Sequence, residues 1–192
     1  MNMPLMIIGA VYGSLFLTEA HGISLTQSSL VISMICVGTI IGSPLFGYFE
    51  RILSKKFLMA AGSLLSIFVF LLITYGPLSA VYSLTALFIL LGFFTSSQVL
   101  GYSLITESAE KELTGTSTSV AAVIIMGLPM LLGPLAGKVM DLMSLTNLET
   151  GITSFPLKSF QIAFLLFPIG FFISFALLTC IKEKAAPKYI SI

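Results

Sequence analysis

The stretch "GTIIGSPLFGYFERILSKKF", Gly38–Phe57, contains the pattern that decides the fold. Its first half has no charged side chain, and then Glu50, Arg51, Lys55 and Lys56 follow one another closely. A long apolar segment that ends abruptly in a cluster of charges is typical of a membrane helix that emerges into a polar loop. The stretch therefore predicts a chain that lies mainly within a lipid membrane.

The composition of the whole chain agrees with this interpretation. Hydrophobic residues make up 57% of the chain and charged residues 9%, with a mean hydropathy of +1.08, whereas soluble domains carry roughly 25% charged residues. Cys36 and Cys180 both lie in apolar runs, and His21 is the only histidine, so neither a disulfide framework nor a metal site is indicated. We predict an integral membrane protein without a cofactor.

Hydropathy divides the chain into six predicted helical spans. No charged residue occurs from Phe57 to Thr106, which is too long for one crossing, so the turn signal at Tyr75–Pro77 separates two spans. The predicted spans are residues 3–17, 30–49, 57–74, 78–105, 117–137 and 160–181. The first span is shorter than the roughly 20 residues that a bilayer core requires. The predicted fold class is an all-α membrane protein with six transmembrane helices.

The distribution of lysine and arginine among the loops predicts the orientation. If the loop after the second span is cytoplasmic, all but two of the nine basic residues lie inside: Arg51, Lys55, Lys56, Lys111, Lys182, Lys184 and Lys188. Only Lys138 and Lys158 lie outside. Both chain ends are therefore predicted to be cytoplasmic.

Small residues predict where the helices pack, and they repeat along the chain. "SPLFGYFE", Ser43–Glu50, and "GPLAGKVMD", Gly133–Asp141, share Pro-Leu-x-Gly followed by an acidic residue, and three spans separate them. An odd number of spans inverts the second copy, as in transporters built from inverted repeats. Because glycine lets helices approach closely, the predicted packing residues are Gly38, Gly42, Pro44, Gly133, Pro134 and Gly137.

Three stretches resemble one known family. "GYFERILSK", "GLPMLLGPLAG" and "VYGSLFLTEAHGISLTQSS" are similar, in order, to the cytoplasmic loop motif, the eleventh helix and the end of the seventh helix of major facilitator superfamily transporters. The loop motif reads roughly G-x-L-x-D-R-x-G-R-R, to which Gly47, Glu50, Arg51 and Lys55 correspond. The chain thus resembles the C-terminal half of such a transporter, which implies two inverted three-helix repeats.

The resemblance also implies a function. In this family the loop acts as a latch, with Glu50 as the acceptor of hydrogen bonds and Arg51 and Lys55 as clamps. The implied activity is secondary transport of a small solute, an organic anion or a metabolite, by alternating access in a bacterial inner membrane. The implied partners are the lipid bilayer, the small-molecule substrate, and either a six-span N-terminal half or a second copy. No nucleic-acid partner is indicated.

One polar cluster in the fourth span is a candidate for the substrate cavity. Ser97, Gln98 and Tyr102 lie in "TSSQVLGYS", where Gln98 and Tyr102 are one helical turn apart. They could line a cavity that orients a polar solute, or they could make hydrogen bonds between helices. Tyr12 in the first span is a further cavity candidate.

Other classes of protein fit the sequence less well. A membrane serine protease needs a histidine base within the membrane, but His21 lies at its edge, so no catalytic residue is predicted. A channel would require pore-lining charges or a carbonyl filter. A stand-alone six-helix subunit or assembly factor without transport activity stays open. The short first span and the missing opposing bundle favour a truncated or split transporter half.

Overall fold

The computed structural model of the chain describes residues 2–77, 80–146 and 153–180, without the side chains of 145–146 and 153–154. The first helix consists of a π-helix, Pro4–Tyr12, and α1, Gly13–His21. It is followed by α2 (Leu25–Phe49), α3 (Lys55–Tyr75), α4 (Val81–Thr95), a 3-10 turn (Ser96–Gln98), α5 (Val99–Ser108), a second 3-10 turn (Lys111–Leu113), α6 (Thr114–Leu142), α7 (Leu157–Phe164) and α8 (Leu166–Cys180). The described parts of the six predicted spans are therefore mainly helical, with non-helical positions at Ala80 and Leu165.

Short polar signals set several helix ends. Ser24 begins α2 as an N-cap, and its hydroxyl both accepts from the Gln27 backbone amide and donates to the Gln27 side-chain oxygen. Ser54 accepts a hydrogen bond of 3.2 Å from the Phe57 amide at the start of α3. Gly22 ends α1 with a φ of 65°, a left-handed conformation that suits glycine.

Five helical segments of the described chain are long and apolar enough to cross a membrane. They are Leu25–Phe49, Lys55–Tyr75, Val81–Ser108, Lys111–Leu142 and Leu157–Cys180. The first helix is not among them, although it continues past the predicted limit of residue 17 to His21. The predicted boundaries at residues 78 and 181 lie outside the described residues.

The helices pair in a regular pattern. α2 packs along α4, α3 packs along α8, and the π-helix contacts α6. Large aromatic side chains fill the space where the first helix, α3, α7 and α8 meet: Phe16, Phe70, Phe160, Phe164 and Phe167, all at most 1% exposed. Tilted and edge-to-face ring contacts of this kind add to the stability gained from area burial.

A two-residue antiparallel ladder lies in the connection between α6 and α7. β1, Leu145–Thr146, pairs with β2, Thr153–Ser154, in the register Leu145 to Ser154 and Thr146 to Thr153. This ladder lies outside the spans, where loops can hydrogen-bond with water.

Burial differs strongly among the spans. In the most apolar part of Lys111–Leu142 only 11% of the residues are buried, against 44% in Lys55–Tyr75 and in Val81–Ser108. α6 thus contributes a largely uncovered apolar face, while the spans that contain α3 and α4 are the most buried of the five.

Candidate functional site

Backbone atoms of α2 and α4 come into direct contact at two glycines, Gly38 and Gly92. A Cβ on Gly38 would overlap the carbonyl oxygen of Ile89 and lie 2.8 Å from the amide nitrogen of Phe93. In return, a Cβ on Gly92 would overlap the carbonyl oxygen of Ile35. Each helix therefore presents a glycine to a carbonyl group of the other. At Gly38 the two helices therefore approach each other closely, as the absence of a side chain allows.

Two serines of the 3-10 turn extend this contact. Gly42 on α2 faces the hydroxyl of Ser96, and Gly62 on α3 faces the hydroxyl of Ser97. Both serines are fully buried and donate hydrogen bonds of 2.6 and 2.8 Å to carbonyl groups one turn earlier. The prediction that Ser97 lines a substrate cavity does not match this position, because its side chain is enclosed by α3 and α4.

The contact between the π-helix and α6 is made by one side chain. The Tyr12 hydroxyl donates a hydrogen bond of 3.3 Å to the carbonyl oxygen of Gly133, and a Cβ on Gly137 would overlap that hydroxyl. A Cβ on Gly133, however, would meet no described atom within 4 Å. At Gly133 the carbonyl group rather than the missing side chain therefore makes the contact with the π-helix, and a packing role for its open face stays a prediction.

The two prolines predicted to pack are also exposed. Pro44 lies in α2 and Pro134 in α6, where Pro134 also lines a cavity shared with the π-helix. Their role in helix packing stays a prediction. In α6 the buried proline is Pro129. Its burial was not apparent from the sequence, because Pro129 belongs to no repeated motif.

Two cavities flank the exposed side of the π-helix. The first, which we call the methionine pocket, lies between the π-helix and α6, has a volume of about 380 Å³ and includes Met6, Tyr12, Met126, Pro129, Met130 and Gly133 in its lining. The second lies between the first helix and α2, measures about 450 Å³ and includes Ser14, Ser29, Ser33 and Cys36. Of the four candidate cavity residues, Tyr12 lines the methionine pocket, and the other three line neither cavity.

Gln98 makes a hydrogen bond between helices. Its side-chain nitrogen donates a hydrogen bond of 3.2 Å to the Asn2 side-chain oxygen. The Asn2 side-chain nitrogen in turn donates a hydrogen bond of 3.7 Å to the sulfur of Met126. Asn2 thus connects the 3-10 turn with α6 inside the membrane region. Tyr102, on α5, is half-buried. Asn2 was missed in the sequence because a single polar residue before an apolar run carries no pattern.

The predicted loop residues divide between two elements. Gly47 lies in the last turn of α2, Glu50 follows its end, and Arg51 is exposed. Lys55, at the start of α3, is 8% exposed and pairs with Glu107 at the end of α5. Lys55 was not paired from the sequence, although Glu107 lies in the same predicted inner loop as Lys111 and carries the opposite charge to Lys55.

Glu50 has one buried oxygen without a partner. Its Oε2 makes no hydrogen bond with any described residue. A buried carboxylate oxygen that lacks a donor is costly, so the Glu50 side chain is not fully satisfied within the described part of the chain.

His21 lies beyond the first predicted span, at the end of α1. Its ring meets Phe16 edge to face with centroids 5.2 Å apart, and desolvation by burial lowers its pKa. The neutral ring therefore fits the edge of the aromatic core. No cluster of three or more His, Cys, Asp or Glu side chains that could hold a metal ion occurs within the described ranges.

These features define a multi-pass helical membrane protein with polar and apolar cavities beside its first helix. Residues 2–190 match the family model of the Major Facilitator Superfamily, and the chain belongs to that family. It is therefore a membrane protein of a transporter superfamily, and the resemblance seen in the sequence is confirmed. No curated protein matches the chain. No solved structure matches it either.

Proposed function

We propose that the chain transports a small solute, an organic anion or a metabolite, by alternating access, as the C-terminal half of a transporter. The observation that carries the proposal is the family match over residues 2–190. The family consists of membrane transporters, and alternating access requires one helical bundle to rock against another. The cavities beside the π-helix offer a surface on which a solute could be held.

The pairing of helices supports an arrangement of two inverted three-helix repeats. The second helix of the first triplet, α2, packs on the first helix of the second triplet, α4. The second helix of the second triplet, α6, contacts the first helix of the first triplet. The third helices, α3 and α8, pack on each other. A pseudo-two-fold axis produces this exchange of partners.

The uncovered α6 and the oxygen of Glu50 support a partner bundle. α6 has the lowest buried share of the five candidate spans, and Oε2 of Glu50 lacks a donor among the described residues. We therefore propose that a six-span N-terminal half, or a second copy, covers α6. In the latch, Glu50 would accept a hydrogen bond from that partner, while Gly47 allows close approach and Arg51 and Lys55 act as clamps.

The test is uptake by proteoliposomes. The chain alone should give no uptake of radiolabelled organic anions or metabolites above empty vesicles, and joining it to a six-span N-terminal half of the family should give uptake. In the joined transporter, Glu50→Gln should reduce uptake severalfold, whereas Glu110→Gln, an exposed carboxylate of another inner loop, should not. Uptake by the chain alone would favour a homodimer. Absence of uptake in every combination would favour the stand-alone subunit or assembly factor.

We also propose a bacterial inner membrane location with both termini in the cytoplasm. The basis is the excess of basic residues in the predicted inner loops. In a background with Cys36→Ser and Cys180→Ser, an impermeant thiol reagent applied to intact cells should label Ser144→Cys but not Ser54→Cys. The reverse labelling would contradict the orientation.

A further inference from the structure

We propose that the methionine pocket binds an uncharged apolar group of the transported solute. This inference rests on the proposed function and adds a chemical class to it. Any anionic group of the solute would then be held elsewhere, because none of the described residues that line the pocket carries a cationic side chain.

The lining of the pocket disfavours a charged occupant. Its walls come from the π-helix and α6, and they consist of Met, Ile, Val, Pro and Gly residues with the single side-chain hydroxyl of Tyr12. A charged group placed there would lose its hydration without gaining an ionic partner, which is strongly unfavourable. An apolar group would lose little and would gain contacts with the walls.

The methionines and the size of the pocket favour a bulky group. Met6, Met126 and Met130 provide flexible and polarisable thioethers, which adapt to rings and branched chains. The volume of about 380 Å³ lies within the range of small-molecule sites, roughly 300–1,000 Å³. Gly133 leaves open space at one wall, since no described atom lies within 4 Å of a Cβ placed there.

Uncharged polar groups adjoin the pocket. The Tyr12 hydroxyl donates to Gly133, so its oxygen retains capacity to accept a hydrogen bond. Beside Met126, the Asn2 amide bonds with Gln98. A saturated lipid chain could not donate a hydrogen bond to the Tyr12 oxygen, whereas an apolar group that carries a hydroxyl or amide could. The neighbourhood therefore favours a neutral amphiphilic part of a solute over a lipid chain.

Photolabelling tests the inference. The purified chain in lipid nanodiscs is irradiated with tritiated adamantyl diazirine, an uncharged hydrocarbon probe, with or without excess 1-adamantanol. We expect labelling of the peptide that contains Met126 and Met130, and saturable competition by 1-adamantanol. Gly133→Leu, which fills the pocket, should reduce this labelling by about tenfold. Gly127→Leu is the matched control, because Gly127 also has open space around it but does not line the pocket.

The outcomes separate the alternatives. Labelling that 1-adamantanol does not reduce, or that both leucine variants reduce equally, overturns the proposal. Displacement by palmitate but not by 1-adamantanol assigns the pocket to a lipid chain and overturns it too. If Gly133→Leu does not fold, Met126→Ala, which removes part of the wall, should lower the labelling instead. Because labelling needs no transport, normal labelling without uptake contradicts only the proposed function, and uptake without specific labelling contradicts only this inference.

Discussion

The α2–α4 contact and the contact between the π-helix and α6 use the same small residue in different ways. Between α2 and α4, Gly38 and Gly92 bring backbone atoms of both helices together. Between the π-helix and α6, the Tyr12 side chain fills the gap and bonds to Gly133. A backbone contact cannot adjust without moving a helix, whereas a side chain can change its rotamer. The bundle therefore has one fixed contact and one adjustable contact, and both cavities adjoin the helix that carries Tyr12.

The largest expected effect is at the fixed contact. Gly38→Ala should lower the free energy of unfolding by about 3 kcal/mol, the upper end for overpacking, because the new methyl group would meet the Ile89 carbonyl and neither backbone can yield easily. Gly133→Ala is the matched control on α6. It should be neutral or stabilising by up to about 1 kcal/mol, since alanine favours helix and the site is open.

Thermal unfolding in detergent, followed by circular dichroism, measures both variants. Equal stability of Gly38→Ala and wild type would show that the two helices can separate at this point, and the distinction between fixed and adjustable contacts would then fail.

A smaller effect is expected at the adjustable contact. Gly137→Ala should lower the free energy of unfolding by about 1 kcal/mol because Tyr12 must move aside. Tyr12→Phe should cost about 0.6 kcal/mol, as is usual for a hydrogen bond between membrane helices. In the double variant the cost of Gly137→Ala should largely disappear, because the hydroxyl that it meets is gone. Additive costs in this double-mutant cycle would contradict the assigned contact.

The smallest effect is expected at the ion pair between Lys55 and Glu107. Glu107→Gln removes the ion pair with Lys55 and should change the free energy of unfolding by less than about 0.5 kcal/mol, because the Glu107 side chain is 63% exposed. High salt should reduce the difference further. Glu110→Gln serves as the control for loss of a carboxylate. A loss much larger than that of Tyr12→Phe would place this pair among the principal contacts of the bundle.

The sequence predicted the helices better than their contacts. Hydropathy depends on the chain alone, so long apolar runs such as Leu25–Phe49 could be located without a structure. Which glycine touches a neighbour depends on the rotation of each helix about its axis. The shared motif Pro-Leu-x-Gly ends at Gly47 and Gly137, yet a Cβ at Gly47 would meet nothing within 4 Å, while Gly137 faces Tyr12.

For the candidate site, too, the sequence could not predict which residues touch each other. Gln98 was considered either a cavity residue or a hydrogen-bonding residue, and the structure places it in a hydrogen bond with Asn2. These partners are 96 residues apart, and no local spacing connects them. Lys55 and Glu107, by contrast, could have been paired from the sequence, because both follow from it: their opposite charges and their position at the same predicted edge of the membrane.

The 3-10 turn Ser96–Gln98 couples the length of the fourth span to the rotation of its two halves about the helix axis. A 3-10 helix rises about 2.0 Å per residue with 3.0 residues per turn, whereas an α-helix rises about 1.5 Å with 3.6. Converting these three residues to α-helix would shorten the span by about 1.5 Å and rotate α4 against α5 by about 60°. Since Gln98 holds Asn2, rotation at this turn would pull on the first helix. Ser96 contacts Gly42 and Ser97 contacts Gly62. These two close contacts resist the rotation.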